Sequence, residues 1–341
     1  MKIVRRVPST QNKKNKNKTV QRYYTKADIF LSRIASILKV PKGTVKNLFS
    51  ERSVTAIRIN SVIGKPEEIY SILTKKGLKM TKVPWAPNAY IVNNRDKSDL
   101  GDTQEYAKGL FYIQNLSSMM PAVVLNPKQN EKILDMCAAP GSKTSQMAAM
   151  MNNLGTIIAN DEDSWRAQKL KDVLTQFGVK NCEIKVMPGQ SYGRTFNMHF
   201  DKILLDAPCS GEGQIYLKGI NPLRFWSLKK VGAMSTIQKE LIESAFGALK
   251  VGGKLLYSTC TLEPQENEAV IDHLLTKYKC AKLLDIDLIN SPEFREYKKE
   301  TKPALTQWDQ YKYDDSISKC VRVYPGNRME GFFIALITKT C

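Results

Sequence analysis

Read from Thr25 onward, the apolar positions change period repeatedly. Ile29, Leu31, Ile34, Ile37 and Leu38 recur at helical spacing, and Val40-Pro41-Lys42-Gly43 ends the run, so a first helix is predicted there. Thr55 to Asn60 alternates like a half-buried strand, and Pro66 to Lys76 returns to the helical period. Lys79 to Val83 and Ala89 to Val92 predict further strands. Together these make a small α+β unit over residues 27–112. One face is expected to carry Arg58, Asn60, Lys75, Lys76, Lys79 and Lys82, a charge set of the kind that is usually solvated.

After Tyr112 strands and helices alternate. Strands are predicted at Lys132 to Met136, Thr156 to Ala159, Cys182 to Val186, Lys202 to Leu205 and Lys254 to Tyr257, the last entered through a turn at Gly252-Gly253. Helices are predicted at Lys143 to Met151, Ser164 to Phe177, Ile237 to Leu249 and Glu266 to Tyr278. Such alternation predicts an α/β fold with a parallel, doubly wound sheet and right-handed crossovers over residues 113–341. Two late strands, Cys320 to Tyr324 and Phe332 to Thr338, are joined by the short connector Pro325 to Gly331, so they should form an antiparallel ribbon at one edge.

Composition narrows the class. The chain has 341 residues, 42% hydrophobic, enough for two domains with a sizeable core. No apolar run reaches bilayer length, and the amino terminus lacks the apolar core of a secretory signal, so neither membrane insertion nor export is expected. The seven cysteines are odd in number, widely spaced and never C-x-x-C. No disulfide framework or zinc site is expected, and a reducing, cytoplasmic setting fits. The formal net charge is +19, and the first 26 residues hold nine Lys and Arg and no acid. Residues 1–26 read as a disordered basic tail, and cations of this kind usually track phosphates.

The candidate chemistry sits at strand ends. Cys209 (in Asp206-Ala207-Pro208-Cys209-Ser210) and Cys260 (in Tyr257-Ser258-Thr259-Cys260-Thr261) each follow a predicted strand, so an open parallel sheet would aim both at the cleft along its carboxyl edge. A lone cysteine is more often a small buried hydrophobe. His199 and His273, the only histidines, lie far from both in sequence and read as structural or surface residues. The first strand ends in Asp135-Met136-Cys137-Ala138-Ala139-Pro140-Gly141-Ser142-Lys143-Thr144, a small-residue turn opening a helix whose first N–H groups are free for a ligand. A P-loop is excluded by spacing, because Ser142 separates Gly141 from Lys143. Asp161, at the end of the second strand, stands where a carboxylate accepts from ribose hydroxyls. Turn plus acid indicates an adenosine-type cofactor.

These segments, with Asp206-Ala207-Pro208-Cys209-Ser210-Gly211-Glu212-Gly213 and Ser258-Thr259-Cys260-Thr261, resemble the RNA 5-methylcytosine methyltransferases of the Nop/Sun family. The resemblance covers the chain from about Ala27 to its end. It implies a class I (Rossmann-like) methyltransferase sheet preceded by a small α+β RNA-binding domain, S-adenosylmethionine as cofactor and a cytosine of rRNA or tRNA as target. By position, Cys137, Ala138, Ala139, Pro140, Gly141, Ser142 and Lys143 would cradle the cofactor, Asp161 would hold its ribose, and Asp206 would lie between cofactor and base, contacting N3. Cys260 would be the nucleophile and Cys209 the thiol of product release. DNA cytosine methyltransferases attack from the Pro-Cys cysteine instead, so a DNA enzyme using Cys209 is the rival within enzymes. A non-catalytic RNA-binding assembly factor is the rival outside them. One departure stands out: Val186-Met187-Pro188-Gly189-Gln190 has Pro188 where the family usually has an acid for the adenine amine, with Gln190 or a main-chain acceptor as substitute. With no further domain expected after the last strand, RNA contact falls to residues 27–112 and the tail. A monomer without metal is the default expectation.

Overall fold

The computed structural model describes residues 25–341. The expected basic tail lies outside the described residues except for its last two, which start a helix. Thr25 caps helix Lys26–Leu38: its hydroxyl accepts from the Asp28 amide and the Asp28 carboxylate accepts from the Thr25 amide, both at 3.1 Å. This helix and the next, Lys42–Leu48, do not pack on the small sheet. Their Phe30, Ile34 and Val45, with the adjacent Phe49, cluster instead with Leu223, Trp226 and Leu262 from loops of the larger sheet.

Strands β1 (Thr55–Ile59), β2 (Met80–Lys82), β3 (Ala89–Val92) and β4 (Phe111–Ile113) form an antiparallel sheet in the order β2-β3-β1-β4. Its expected charged face keeps four of its six residues. Lys75, Lys76, Lys79 and Lys82 are exposed, but Arg58 and Asn60 are buried at 3% and 2% exposure. The reason is position: β1 is an inner strand whose end meets the large domain. Arg58 Nη2 donates to Ser145 Oγ (2.9 Å) and to the Ser142 carbonyl (3.4 Å), and Asn60 Nδ2 donates to the carbonyls of Gly109 and Phe177 at 3.0 Å each.

The large sheet takes β5 (Lys132–Asp135), β6 (Thr156–Asn160), β7 (Cys182–Lys185), β8 (Phe200–Asp206), β9 (Leu249–Thr259), β10 (Ala281–Leu284) and β11 (Thr301–Pro303). A short hairpin of β12 (Gln307–Trp308) and β13 (Tyr311–Lys312) precedes its last members, β14 (Val321–Val323) and β15 (Phe332–Lys339). The order β7-β6-β5-β8-β9 is parallel throughout, and β15 continues it antiparallel to β9. This is the class I methyltransferase sheet. The late pair is antiparallel as its short connector requires, but it is not a bare edge, since β10 also pairs with β15 and β11 with β14. Strand order reverses between β5 and β8, which opens a crevice beyond their carboxyl ends.

Three further departures have local causes. The helix expected from Ile237 starts at Leu228, capped by Ser227; before Ile237 it buries only Val231 and the polar Ser235, too few apolar positions to show a period. Gly252-Gly253 is not a turn before β9. It lies within that strand as an irregularity, with Gly252 at φ +78°, where pairing to β8 shifts register between Phe200 and Lys202. Finally, Cys280 and Cys341 are joined in a disulfide, although none was expected: β10 pairing with β15 returns residues 339–341 to Cys280, whose carbonyl accepts from the Thr340 amide at 2.9 Å.

Candidate active site

The turn after β5 is built for close approach. Ala139–Pro140 is cis, and Gly141 sits at φ +107°, where a Cβ would lie 3.0 Å from Leu170 Cδ1 and strain the backbone as well. Helix Ser142–Met150 begins there. Asn160, the last residue of β6, pins the surrounding loops: its Nδ2 donates to the carbonyls of Met136 (3.1 Å) and Met187 (3.0 Å), and its Oδ1 accepts from the Met187 amide (3.1 Å). Cys137, Ala139, Asn160 and Asp161 then line one side of a cleft of about 490 Å³. Asp135 lies behind the turn, fully buried, its Oδ2 accepting from Thr144 Oγ1 at 2.7 Å; burial raises its carboxyl to about 7.

The cleft fits an adenosine-type cofactor by its unpaired acceptors. Asp161 is 2% exposed, and its Oδ2 has no hydrogen-bond partner although the Arg166 guanidinium is 3.3 Å away. Ion-paired but without a hydrogen-bond donor, this buried oxygen keeps lone pairs that ribose hydroxyls would satisfy. Gln190 also lines the cleft, and its buried Oε1 lacks a partner. At the place of the missing acid, the chain thus offers a free amide acceptor two residues after Pro188.

The far side of the cleft carries the thiols. β8 delivers Asp206 and Cys209, β9 delivers Cys260, and the two sulfur atoms are 3.2 Å apart. The hydrogen bond to Cys260, then burial, then the nearby carboxylates Glu266 and Asp206 hold the Cys209 thiol well above its ordinary value. Asp206 is fixed from both sides: Oδ1 accepts from Ser258 Oγ and Oδ2 from Lys143 Nζ, each at 2.7 Å. Lys143 also donates to Ser118 Oγ at 2.9 Å. The residue expected only in the cofactor turn therefore links that turn to the Asp206 strand end, a role invisible in spacing because the partners lie 63 and 25 positions away. Of the turn residues expected to cradle a cofactor, Cys137 and Ala139 line the cleft, and Ala138, Pro140, Gly141, Ser142 and Lys143 do not.

Beneath both cysteine loops runs a buried polar network that sequence reading did not assign. Asn267 clamps the Cys260 turn, accepting from Thr259 Oγ1 (2.6 Å) and donating to the Thr261 carbonyl (3.1 Å). Gln238 Nε2 donates to the Pro208 carbonyl (2.8 Å) and to Glu266 (2.9 Å). Ser210 Oγ bridges the carboxyls of Glu212 and Glu266, and Arg322 pairs with Glu268 at 2.5 Å with both side chains fully buried. The available signal was the density of acids in Glu263-Pro264-Gln265-Glu266-Asn267-Glu268, of which the residues from Glu266 read only as the start of a helix. His199 contacts Lys132 and His273 contacts Glu243, both away from the cleft.

Comparison with known proteins agrees over nearly the whole described chain. Residues 122–338 match the family model described as 16S rRNA methyltransferase RsmB/F, and residues 27–116 match that of the N-terminal domain of 16S rRNA methyltransferase RsmF. A tRNA (cytosine(49)-C(5))-methyltransferase of Pyrococcus abyssi is 42% identical over 285 residues, covering 83% of this chain and 88% of that protein. Ribosomal RNA small subunit methyltransferase F of Shewanella oneidensis is 38% identical over 289 residues, covering 84% of this chain but 57% of its own length, so the chain spans little more than half of that relative. Among solved structures, a methyltransferase homolog protein from Pyrococcus horikoshii superposes with a TM-score of 0.77 at 33% identity, covering 93% and 95% of the two chains.

Proposed function

The chain belongs to the RsmB/F family of RNA 5-methylcytosine methyltransferases, and from that premise we propose that it methylates C5 of a cytosine in rRNA or tRNA through a covalent Cys260 adduct. The observation that carries this reading is the meeting of two thiols from different strands, 3.2 Å apart, beside Asp206 in the same cleft as the open carboxylate of Asp161.

Cytosine C5 is a poor nucleophile, and the thiol cures that. Cys260 Sγ forms a bond to C6, the C5=C6 electron pair moves toward N3 and O2, and C5 becomes enamine-like. We assign Asp206 to N3 as a hydrogen-bond donor, with Lys143 Nζ, 2.7 Å from Asp206 Oδ2, as the neighbouring cation that favours electron flow onto the ring. Bound S-adenosylmethionine, cradled by residues 137–143 with Asp161 on its ribose and Gln190 on its adenine amine, supplies a methyl group made electrophilic by the sulfonium. Transfer of the C5 proton to a water molecule re-forms the C5=C6 bond and expels Cys260 as thiolate. Cys209, whose sulfur lies 3.2 Å from that of Cys260, is within reach to deliver a proton to the departing sulfur. A paired cytosine has to be unstacked first, since C5 and C6 must enter the cleft.

The test uses wild type, C260A and C209A with S-adenosylmethionine and transcripts of small-subunit rRNA and tRNA, read by denaturing gel and bisulfite sequencing. Wild type should methylate, C260A should form neither adduct nor product, and C209A should accumulate an RNA-linked species. Loss of adduct in C209A with retention in C260A would install the Cys209 mechanism instead. Failure of wild type to bind cofactor in calorimetry would favour the assembly-factor reading.

A further inference from the structure

Phe225 is the one exposed phenylalanine of the chain's eleven, at 74% exposure, and it lines the cleft that holds Cys209 and Cys260. Its neighbours explain why it stays out. Leu223 and Trp226 are buried in the cluster beneath the first two helices, Trp226 Nε1 donates to Glu212 Oε1 at 2.6 Å, and the Trp226 amide donates to the Leu223 carbonyl at 3.1 Å. Lys26 Nζ donates to the Arg224 carbonyl at 3.2 Å. With residues 223 and 226 anchored inward, Arg224 and Phe225 are left facing out from a pinned turn, the Arg224 guanidinium carbon 5.0 Å from the centre of the phenyl ring. An apolar ring displayed this way forfeits burial, yet it is presented without the mobility that would make binding costly.

The surrounding charge says what covers it. From Gly213 to Lys239 the chain holds Lys218, Arg224, Lys229, Lys230 and Lys239 and no acidic residue, and Lys230 lines the same cleft. An aromatic face amid cations at the rim of a cleft is the arrangement that takes unpaired nucleotides, the ring stacking on a base and the cations following the backbone. We propose that Phe225, flanked by Arg224, is a stacking platform for the unpaired nucleobase next to the target cytosine. This rests on the reading of the cleft as an RNA-cytosine site. It adds a binding residue that holds the strand open beside the extruded base and tolerates any base identity, because every base has a π-face.

The probe is fluorescein-labelled single-stranded oligocytidylate, rC12, followed by anisotropy over a salt series with wild type, F225A, F225W and R224A. F225A should bind on the order of tenfold more weakly with an unchanged salt slope, since it removes stacking and no phosphate contact. R224A should lower the slope by about one. F225W should keep wild-type affinity and add a tryptophan signal quenched on binding. Thermal melting of F225A should match wild type because the ring is exposed. Equal rC12 affinity in F225A, or an unquenched F225W signal, overturns the platform. Calorimetry with S-adenosylmethionine and methyl incorporation by wild type separate the two levels: if wild type does both while F225A binds normally, only the platform falls, and if wild type does neither, the reading of the cleft falls with it.

Discussion

Ser210 has one hydroxyl proton and two carboxyls to satisfy, Glu212 and Glu266, in a site closed to water. Trp226, Thr261 and Ser210 all donate to Glu212, and the bridge closes without a lone-pair clash when Glu266 carries a proton of its own. Burial, followed by the charge of Glu212, raises Glu266 from 4.5 to about 8. The sign follows directly. Between the unfolded value and about 8 the folded protein holds a proton that the unfolded chain has released, so stability falls as pH rises across that window. Its full span is on the order of a few kcal/mol. E266Q keeps a donor to Ser210 Oγ and an acceptor while removing the titration. Urea denaturation at pH 6 and pH 9 should therefore show wild type losing more stability than E266Q; parallel losses would place the proton elsewhere. Because Ser210 adjoins Cys209, a distorted bridge in E266A should also slow release of the adduct.

The two cysteine loops are tied by backbone as well as by side chains. The Gly213 amide donates to the Cys260 carbonyl at 2.9 Å, and a Cβ at Gly213 would come within 1.9 Å of the Gly331 carbonyl oxygen. G213A must therefore push apart the segments after β8 and before β15. A loss of about 1–3 kcal/mol in stability is expected from overpacking alone. Adduct formation should fall further than the melting temperature indicates, because Cys260 moves with its carbonyl; a variant that melts early yet reacts at the wild-type rate would refute the coupling. Such contacts show where sequence is legible and where it is not. The strand ends bearing Asp161, Asp206, Cys209 and Cys260 could be read because strand period and flanking small residues are local signals. Helix Leu116–Leu125, which supplies Ser118, escaped reading because Pro121 lies inside it. The first half of helix Leu228–Ala248 escaped because its buried face is partly polar, and Arg58 because only tertiary packing makes a charged strand residue internal.

Arg58 is also where the molecule's two sheets become one device. Its guanidinium donates to Gln114 Oε1 at 3.2 Å, Ser145 Oγ and the Ser142 carbonyl, joining β1 to the first turn of the helix that follows the proposed cofactor cradle. Burial lowers it only to about 10, so it remains a cation at neutral pH, and none of the described ion pairs gives it a carboxylate. Its charge is held by neutral oxygens and the ring of Tyr112, 5.9 Å from the guanidinium carbon, with no carboxylate, which makes the site costly and sensitive to geometry. R58A should strip three acceptors of their donor and leave a void, lowering stability by about 3 kcal/mol. R58M should lose less, because it fills the volume and removes the desolvated charge. The informative comparison is cofactor affinity at a temperature where all variants are folded. If the small sheet positions the cradle, R58A and R58M should both bind S-adenosylmethionine more weakly in calorimetry, since neither can donate to Ser142 and Ser145. If the contact only glues two units together, R58M should recover affinity along with stability.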